Sequence, residues 1–416
     1  MKNSTALWRN RDFMVLWTGQ TLSVIGSSMS IFLFPVVGYS VTGSTTQAAL
    51  SGTSFLLGSA TTRLPAGALA DRWNRRFVMS GSAGAGAMLY AGMTIALLLD
   101  VLTLPMLLAT AFLTGVVSAF FAPAEAAAVR KLVSSQQLPT ALSQNQARQF
   151  TASLAGPPLG GALYAITAWI PFLVDTLSYL TAAAAALTIR HPLAPPADAL
   201  SARLTLRADI LEGLRYLLSR GVFRAIAASA ALVNFAISSM FLVLTLKLLR
   251  AGVPTAAIGS IETVAAGAGI LGALTAPWLI RNVPTGRIVL TSCVLIPAGT
   301  APMAFSTNVV VLGALLAAAI LGLPGLNAAI DSYLFSVTPD RLQGRVNAGL
   351  GFTTSALQPA GPLVGGLLMA WVGSTSAMLL TSAVITSGML VLATCAEVRR
   401  LSTPDGWVGP ELSTDL

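Results

Sequence analysis

An all-α membrane protein, with twelve transmembrane helices in two pseudo-symmetric six-helix bundles, is the fold class this sequence predicts. Three observations carry that expectation. Of the 416 residues, 55% are hydrophobic and 9% are charged, with a mean hydropathy of +0.76, whereas soluble domains carry about a quarter charged residues. Apolar runs long enough to cross a bilayer recur along the whole chain. The second half also repeats short stretches of the first at one fixed offset.

The composition bounds the chemistry. So much apolar surface cannot all be hidden inside a soluble core, so much of it must face lipid. The formal charge of +9 and a pI near 10.2 would point to nucleic acid in a soluble protein. Here the basic residues sit in short gaps between apolar runs, as in loops facing anionic lipid, and no nucleic-acid partner is expected. Cys293 and Cys395 both lie in apolar stretches, and the single histidine, His191, adjoins Pro192. No disulfide framework, metal site or cofactor is therefore expected. The run from Phe13 to about Tyr39 is too long for a signal-peptide core and lacks a small-residue cleavage site, so it reads as a retained first span.

A spanning helix needs about 20 mostly apolar residues. Candidates fall near 13–39, 46–70, 77–99, 103–123, 144–166 and 169–189, then 222–246, 254–279, 288–305, 308–330, 346–370 and 374–396. The expected domains are residues 1–190 and 222–398, joined by a linker over 191–221 and followed by a tail over 399–416. With the N-terminus placed inside, 20 of the 24 basic residues fall in inner segments, which places both termini in the cytoplasm. Trp73 and Trp278 then mark inner boundaries, and Trp169 and Trp371 mark outer ones. In the linker, Ile210, Leu211, Leu214, Leu217 and Leu218 share one face of a helix, opposite Arg207, Asp209, Glu212 and Arg215. That pattern predicts an amphipathic helix on the inner membrane surface.

The repeat is specific. Gly67-Ala-Leu, Trp73 and Arg76 recur 205 residues later as Gly272-Ala-Leu, Trp278 and Arg281. At the same offset, Gly156-Pro157-Pro158-Leu159-Gly160-Gly161 recurs as Gly361-Pro362-Leu363-Val364-Gly365-Gly366. Two matches at one offset argue duplication of a six-helix unit, an arrangement that places a substrate site where the halves meet. Gly67 permits tight helix contact, Asp71 can sit against the positive end of a helix, and Arg72, Arg75 and Arg76 can pair with acids on neighbouring helices.

The stretch Gly67-Ala-Leu-Ala-Asp71-Arg72-Trp-Asn-Arg75-Arg76 closely resembles the loop motif between helices two and three of the major facilitator superfamily. That resemblance implies a gating cluster that latches the cytoplasmic side of the outward-facing state. The second copy has Ala276 where the first has Asp71, so the full latch is expected in the first half alone. The segment Gly156, Pro157, Gly160, Gly161 resembles the family's antiporter motif, which implies a pliable hinge and export. Its copy at Gly361 and Pro362 lies in the eleventh span. Phe121-Ala-Pro-Ala-Glu125-Ala-Ala, Asn145-Gln-Ala147 and Pro339-Asp-Arg-Leu-Gln-Gly344-Arg345 are similar to the bacterial drug-exporter branch with macrolide, tetracycline and enterobactin exporters. The resemblance implies a proton antiporter of small amphipathic organic compounds in the bacterial cytoplasmic membrane, acting as a monomer. The fourth span, over Ala109–Gly115, lacks the buried arginine of many proton-coupled relatives.

Few ionisable groups lie in or near the spans: Arg63, Glu125, Arg148, Asp175, Glu262 and Asp331. Such residues are costly in lipid and mark function by default. Glu125 and Asp331 occupy nearly equivalent places and are expected to be gating ion-pair partners, Glu125 for the Arg72–Arg76 cluster and Asp331 for Arg281 or Arg287. Glu262 lies sixteen residues before Trp278, about 24 Å of helix. Its sequence neighbours offer no cation, which suits a group that loads and releases a proton, with Asp175 as runner-up. Gln20, Asn234 and Asn327 are polar positions suited either to lining a cavity or to bridging helices.

Two other classes compete with export. An importer or symporter of a small nutrient shares the fold, but usually carries more polar groups in its cavity. A membrane-embedded enzyme needs a nucleophile, paired-acid or metal constellation, and none is present. No phosphate-binding Gly-x-x-x-x-Gly-Lys-Ser/Thr segment exists for ATP-driven transport.

Overall fold

The computed structural model describes residues 7–134, 136–194 and 214–403. Its helices are α1 (Arg11–Thr42), α2 (Thr45–Arg72), α3 (Arg75–Leu98), α4 (Leu104–Leu132), α5 (Leu138–Ile166) and α6 (Ile170–Thr188). Beyond the linker come α7 (Gly221–Arg250), α8 (Thr255–Asn282), α9 (Thr285–Thr300) with a 3-10 extension Ala301–Phe305, α10 (Val309–Leu321) and α11 (Leu323–Val337). The last are α12 (Asp340–Ala356), α13 (Ala360–Thr394) and the short α14 (Ala396–Arg399). No strand occurs among the described residues.

Nine described stretches are long and apolar enough to cross a membrane. Helices α2 and α5 are of similar length, 28 and 29 residues, but carry more Gly, Ser, Thr and Gln. One of the nine, Arg345–Thr394, holds two expected spans. They are parted at Gly373, where φ is 79° and ψ 169° inside α13, a conformation that only glycine adopts without steric cost. Each of the twelve expected spans thus coincides with helix.

Local signals set several boundaries. The side chains of Asn10, Ser44, Asn74 and Asn308 accept first-turn backbone N–H groups of α1, α2, α3 and α10. Gly43 ends α1 in the left-handed region, φ 64°, donating to Tyr39 O. The expected linker helix is described only over residues 214–219, where Leu217 is buried and Leu218 exposed. Arg207, Asp209, Ile210, Leu211 and Glu212 lie outside the described residues.

Contacts group the chain into two compact units: Met1–Leu204 with Gly252–Thr263, and Thr205–Ala251 with Val264–Leu416. In the first, α1 packs on α5 and α6, α2 on α4, and α3 on α6. Small residues let these backbones meet, as expected where lipid competes for apolar side chains. A Cβ added at Gly58 would lie 2.1 Å from Phe112 O, and one at Gly115 2.1 Å from Phe55 O, so α2 and α4 cross there. Tyr90 anchors the middle of this unit, its ring 6.4 Å from Phe34, 6.3 Å from Phe172 and 5.5 Å from Tyr179. In the second unit α7 packs along α13, where Gly361 and Gly365 meet Phe235 O and Ser239 Oγ. Lys247, near the end of α7, buries its ammonium and donates to Met303 O, Ala304 O and Ser306 O at 2.7–2.9 Å. That cation closes the end of the 3-10 extension, where backbone carbonyls lack intrahelical partners.

The duplicated spans are not built alike. The fourth and fifth spans are continuous helices, α4 and α5. The tenth is interrupted at Gly322 between α10 and α11, and the eleventh at residues 357–359 between α12 and α13. Pro324 and Pro359 stand at these breaks, where the first half has Ala119 and Leu154. Each proline removes a backbone donor and crowds the preceding turn.

Candidate functional site

Each unit encloses a cavity. In the first unit, α1, α4, α5 and α6 surround about 350 Å³, lined by Gln20, Ser23, Ser27, Ser118, Glu125 and Tyr179 among apolar groups. Ser27 donates to Tyr179 Oη at 3.0 Å. Gln20 is 3% exposed, with its Nε2 unpaired among the described residues. Glu125 accepts a 2.7 Å hydrogen bond from Arg148 Nη2, and both residues are buried. This corrects the expected pairing of Glu125 with the Arg72–Arg76 cluster. Glu125 faces α5, where Arg148 stands, and the carboxylate is neutralised there.

The basic cluster works differently. Arg75 Nη1 donates to Leu193 O at 3.4 Å, and Arg76 Nη2 donates to Ile189 O and, at 3.4 Å, to His191 O. Lys131 donates to Ala194 O. On the other side, Asp12 Oδ2 accepts the N–H groups of Arg190 and His191 at 3.0 and 2.8 Å. The segment leaving α6 is therefore clasped by cations on its carbonyls, as the dipole at a helix C-terminus favours, and by a carboxylate hydrogen-bonded to its amides. Asp71 lies on α2, but its side chain is outside the described residues. A second correction concerns Gly67: a Cβ there would meet nothing within 4 Å, so it makes no tight contact. The close crossing of α2 and α4 lies nine residues earlier, at Gly58. In the second copy, a Cβ on Gly272 would lie 2.2 Å from Leu321 O.

In the second unit, α7, α11, α12 and α13 surround a cavity of about 350 Å³. Its polar lining includes Asn234, Asn327, Asp331 and Asn347, with Ile226, Val233, Ile237, Leu326 and Leu350 among its apolar walls. Asn234 Nδ2 donates to Thr354 O at 3.3 Å. Asp331 forms no ion pair among the described residues, and neither Arg281 nor Arg287 reaches it. That corrects the expected pairing of Asp331 with Arg281 or Arg287. Arg281 ends α8 and Arg287 begins α9, whereas Asp331 faces the cavity beside α7 and α12.

The Gly156–Gly161 segment is a close-packed crossing. Gly156 lies on Ser28 and Gly160 on Met29 of α1; a Cβ on Gly161 would lie 2.5 Å from Thr255 O. Gly259 of α8 faces Pro157 O in the same way, at 2.4 Å. Pro158 has no N–H for the carbonyl four residues back, Leu154 O, and Thr263 Oγ1 donates to that oxygen at 2.7 Å. Glu262, next to Thr263, is half-buried and forms no hydrogen bond or ion pair among the described residues. Asp175 is fully buried and accepts from Ser30 Oγ at 2.6 Å and Ser178 Oγ at 3.0 Å. Gly26 leaves room for it: a Cβ there would lie 2.3 Å from Asp175 Oδ1.

Sequence reasoning missed the roles of Arg148, Asp12 and Thr263. Pro158 is the one signal that pointed to Thr263, because a proline inside a helix always frees a carbonyl. Among the described residues no group of three or more His, Cys, Asp or Glu side chains is placed to hold a metal.

Known proteins share this architecture. A bacterial homologue of the human lysosomal transporter Spinster superposes with a TM-score of 0.69 at 15% identity, over 95% of this chain and 97% of that one. A bacterial homologue of the iron transporter ferroportin gives 0.65 at 17%, over 92% and 100%. A nucleoside transporter gives 0.67 at 12%, over 91% and 98%. No curated protein matches the chain in sequence. The family model of the Major Facilitator Superfamily matches residues 16–348. The all-helical fold, with helices long and apolar enough to cross a membrane, and that match together make the chain a multi-pass membrane transporter belonging to the major facilitator superfamily.

Proposed function

We propose that this transporter exports small amphipathic organic compounds across the bacterial cytoplasmic membrane by alternating access, in exchange for protons and with both termini inside. The observation that carries the reading is the character of the two cavities. Each has apolar walls and a few polar groups, a lining that takes up an apolar body and orients it through a small number of hydrogen bonds. The bias of basic residues supports the orientation, and the likeness of Gly156–Gly161 to the antiporter motif supports the direction. Cells of an efflux-deficient host that express the protein should tolerate higher doses of such compounds and accumulate less of them, and a protonophore should restore accumulation. Greater accumulation on expression would reverse the direction and favour import.

Glu262 is the proton-carrying acid in this reading, supported by its half-buried carboxyl with no partner among the described residues. Glu262→Gln should bind cargo and lose transport driven by a pH gradient. Wild-type transport by Glu262→Gln, together with loss in Asp175→Asn, would move the role to Asp175. Asp71 completes the inner latch, so Asp71→Asn should impair transport at near-normal membrane abundance.

A further inference from the structure

The two cavities differ in one chemical respect that bears on cargo. Each holds one carboxylate, contributed from nearly equivalent positions on α4 and α11, Glu125 and Asp331. In the first cavity Arg148 already neutralises Glu125 at 2.7 Å. The residue standing where a second Arg148 would be, 205 positions further on in α12, is the neutral Thr353, whose hydroxyl donates to Gly349 O in its own helix. Asp331 is open to its cavity and forms no ion pair among the described residues.

We propose that the cavity of the second unit is the cargo subsite for a protonated amine carried on an apolar body, with Asp331 as counter-ion and Asn234, Asn327 and Asn347 as flanking hydrogen-bond acceptors. This names the substrate class of the export reading and rests on it. The chemistry follows from the lining. A carboxylate accepts hydrogen bonds and offers none, so its natural complement is an N–H-bearing cation. Amide oxygens accept the remaining ammonium protons. Ile226, Val233, Ile237, Leu326 and Leu350 supply apolar wall for a ring or chain. About 350 Å³ of free space suits a small organic molecule and far exceeds what a bare ion fills.

The backbone points to the same place. Both interrupted helices of this half contribute to the lining, Leu323 and Asn327 just after the break at Gly322, Leu350 and Thr354 just before the break at 357–359. Irregular backbone at membrane depth is tolerated where it lines a cavity, and Gly- or Pro-interrupted spans mark binding sites in transporters. The first half, continuous through α4 and α5, lacks that feature.

The test uses the full chain in lipid nanodiscs and two probes, propranolol, a secondary amine on a naphthyl body, and its neutral N-acetyl derivative. Calorimetry should show wild type binding propranolol at least tenfold more tightly than the acetylated form. Asp331→Asn should remove that preference and leave the acetylated form unchanged, and Asp331→Glu should restore it. Equal affinity of wild type for both probes, binding of neither, or a preference that survives Asp331→Asn would overturn the proposal. If both variants lose binding of both probes while remaining monodisperse, Asp331 is a structural residue and the assignment also fails. Because binding has no direction, the accumulation assay tests export separately, and either reading can fail without the other.

Discussion

The two compact units share repeated sequence stretches yet treat a charge in the membrane in opposite ways. In the first half the acid on α4 and the base on α5 cancel each other inside their own unit. In the second half the acid on α11 faces open space between broken helices, and Lys247, the one deeply buried base there among the described residues, spends its charge on three backbone carbonyls at the far end of α7. Duplication therefore fixes where helices run, while single substitutions decide which half keeps a charge available. A neutralised carboxylate holds a fold together; an unneutralised one beside a cavity holds a ligand.

The largest effect should come from breaking the compensated pair. Arg148→Met leaves Glu125 buried without its cation, a loss of roughly 3–5 kcal/mol. The protein should show a strongly lowered thermal midpoint in detergent and reduced membrane abundance. Adding Glu125→Gln should recover most of that loss, since a neutral amide needs no counter-charge. Asp331→Asn, the matching change in the second half, should shift stability by less than about 0.5 kcal/mol. Equal thermal midpoints for Arg148→Met and Asp331→Asn would erase the contrast between the halves.

Lys247 offers the next test. Lys247→Met fills similar volume but strands the carbonyls of Met303, Ala304 and Ser306, and should cost about 2–3 kcal/mol. The aligned position in the first half is Thr42, whose hydroxyl donates to Gly38 O in its own helix and accepts the N–H of Ser44. Thr42→Val should then cost about 1 kcal/mol, less than the loss at Lys247, because both of its bonds are neutral. Thermal midpoints that fall by the same amount in both variants would show that the ammonium adds nothing beyond a hydroxyl.

Glycine at the repeated motif separates what a sequence reveals from what it hides. Gly67 and Gly272 are identical letters at the same offset, yet one is open and the other lies on Leu321 O. Gly272→Ala should lower stability by about 1–3 kcal/mol, and Gly67→Ala should be close to neutral. The all-helical membrane fold was legible because lipid imposes long apolar runs and small residues on any such chain. The partners of Glu125 and Asp331 were not, because pairing depends on which way a helix is rotated, and an apolar span has no polar face to report its rotation. Asp175 was legible as an acid in a span, but its enclosure by Ser30 and Ser178 depends on packing between α1 and α6.

The smallest effect probes a bond that exists only because of a proline. In α5, Pro158 cannot donate to Leu154 O, and Thr263 Oγ1 donates instead at 2.7 Å. Thr263→Val should therefore cost about 1 kcal/mol, the ordinary value of one such hydrogen bond. The cost is conditional. Where Pro158→Ala restores the helical N–H donor, Leu154 O regains its partner and Thr263→Val should cost only a few tenths of a kcal/mol. The aligned pair in the second half is Leu363 and Pro359, and Leu363 keeps its N–H, so no hydroxyl is needed there. A double-mutant cycle on thermal midpoints measures the coupling directly. Additive losses from Thr263→Val and Pro158→Ala would show that the threonine hydroxyl does not stand in for the missing amide, and that Gly259 O, 3.4 Å away, is its true acceptor.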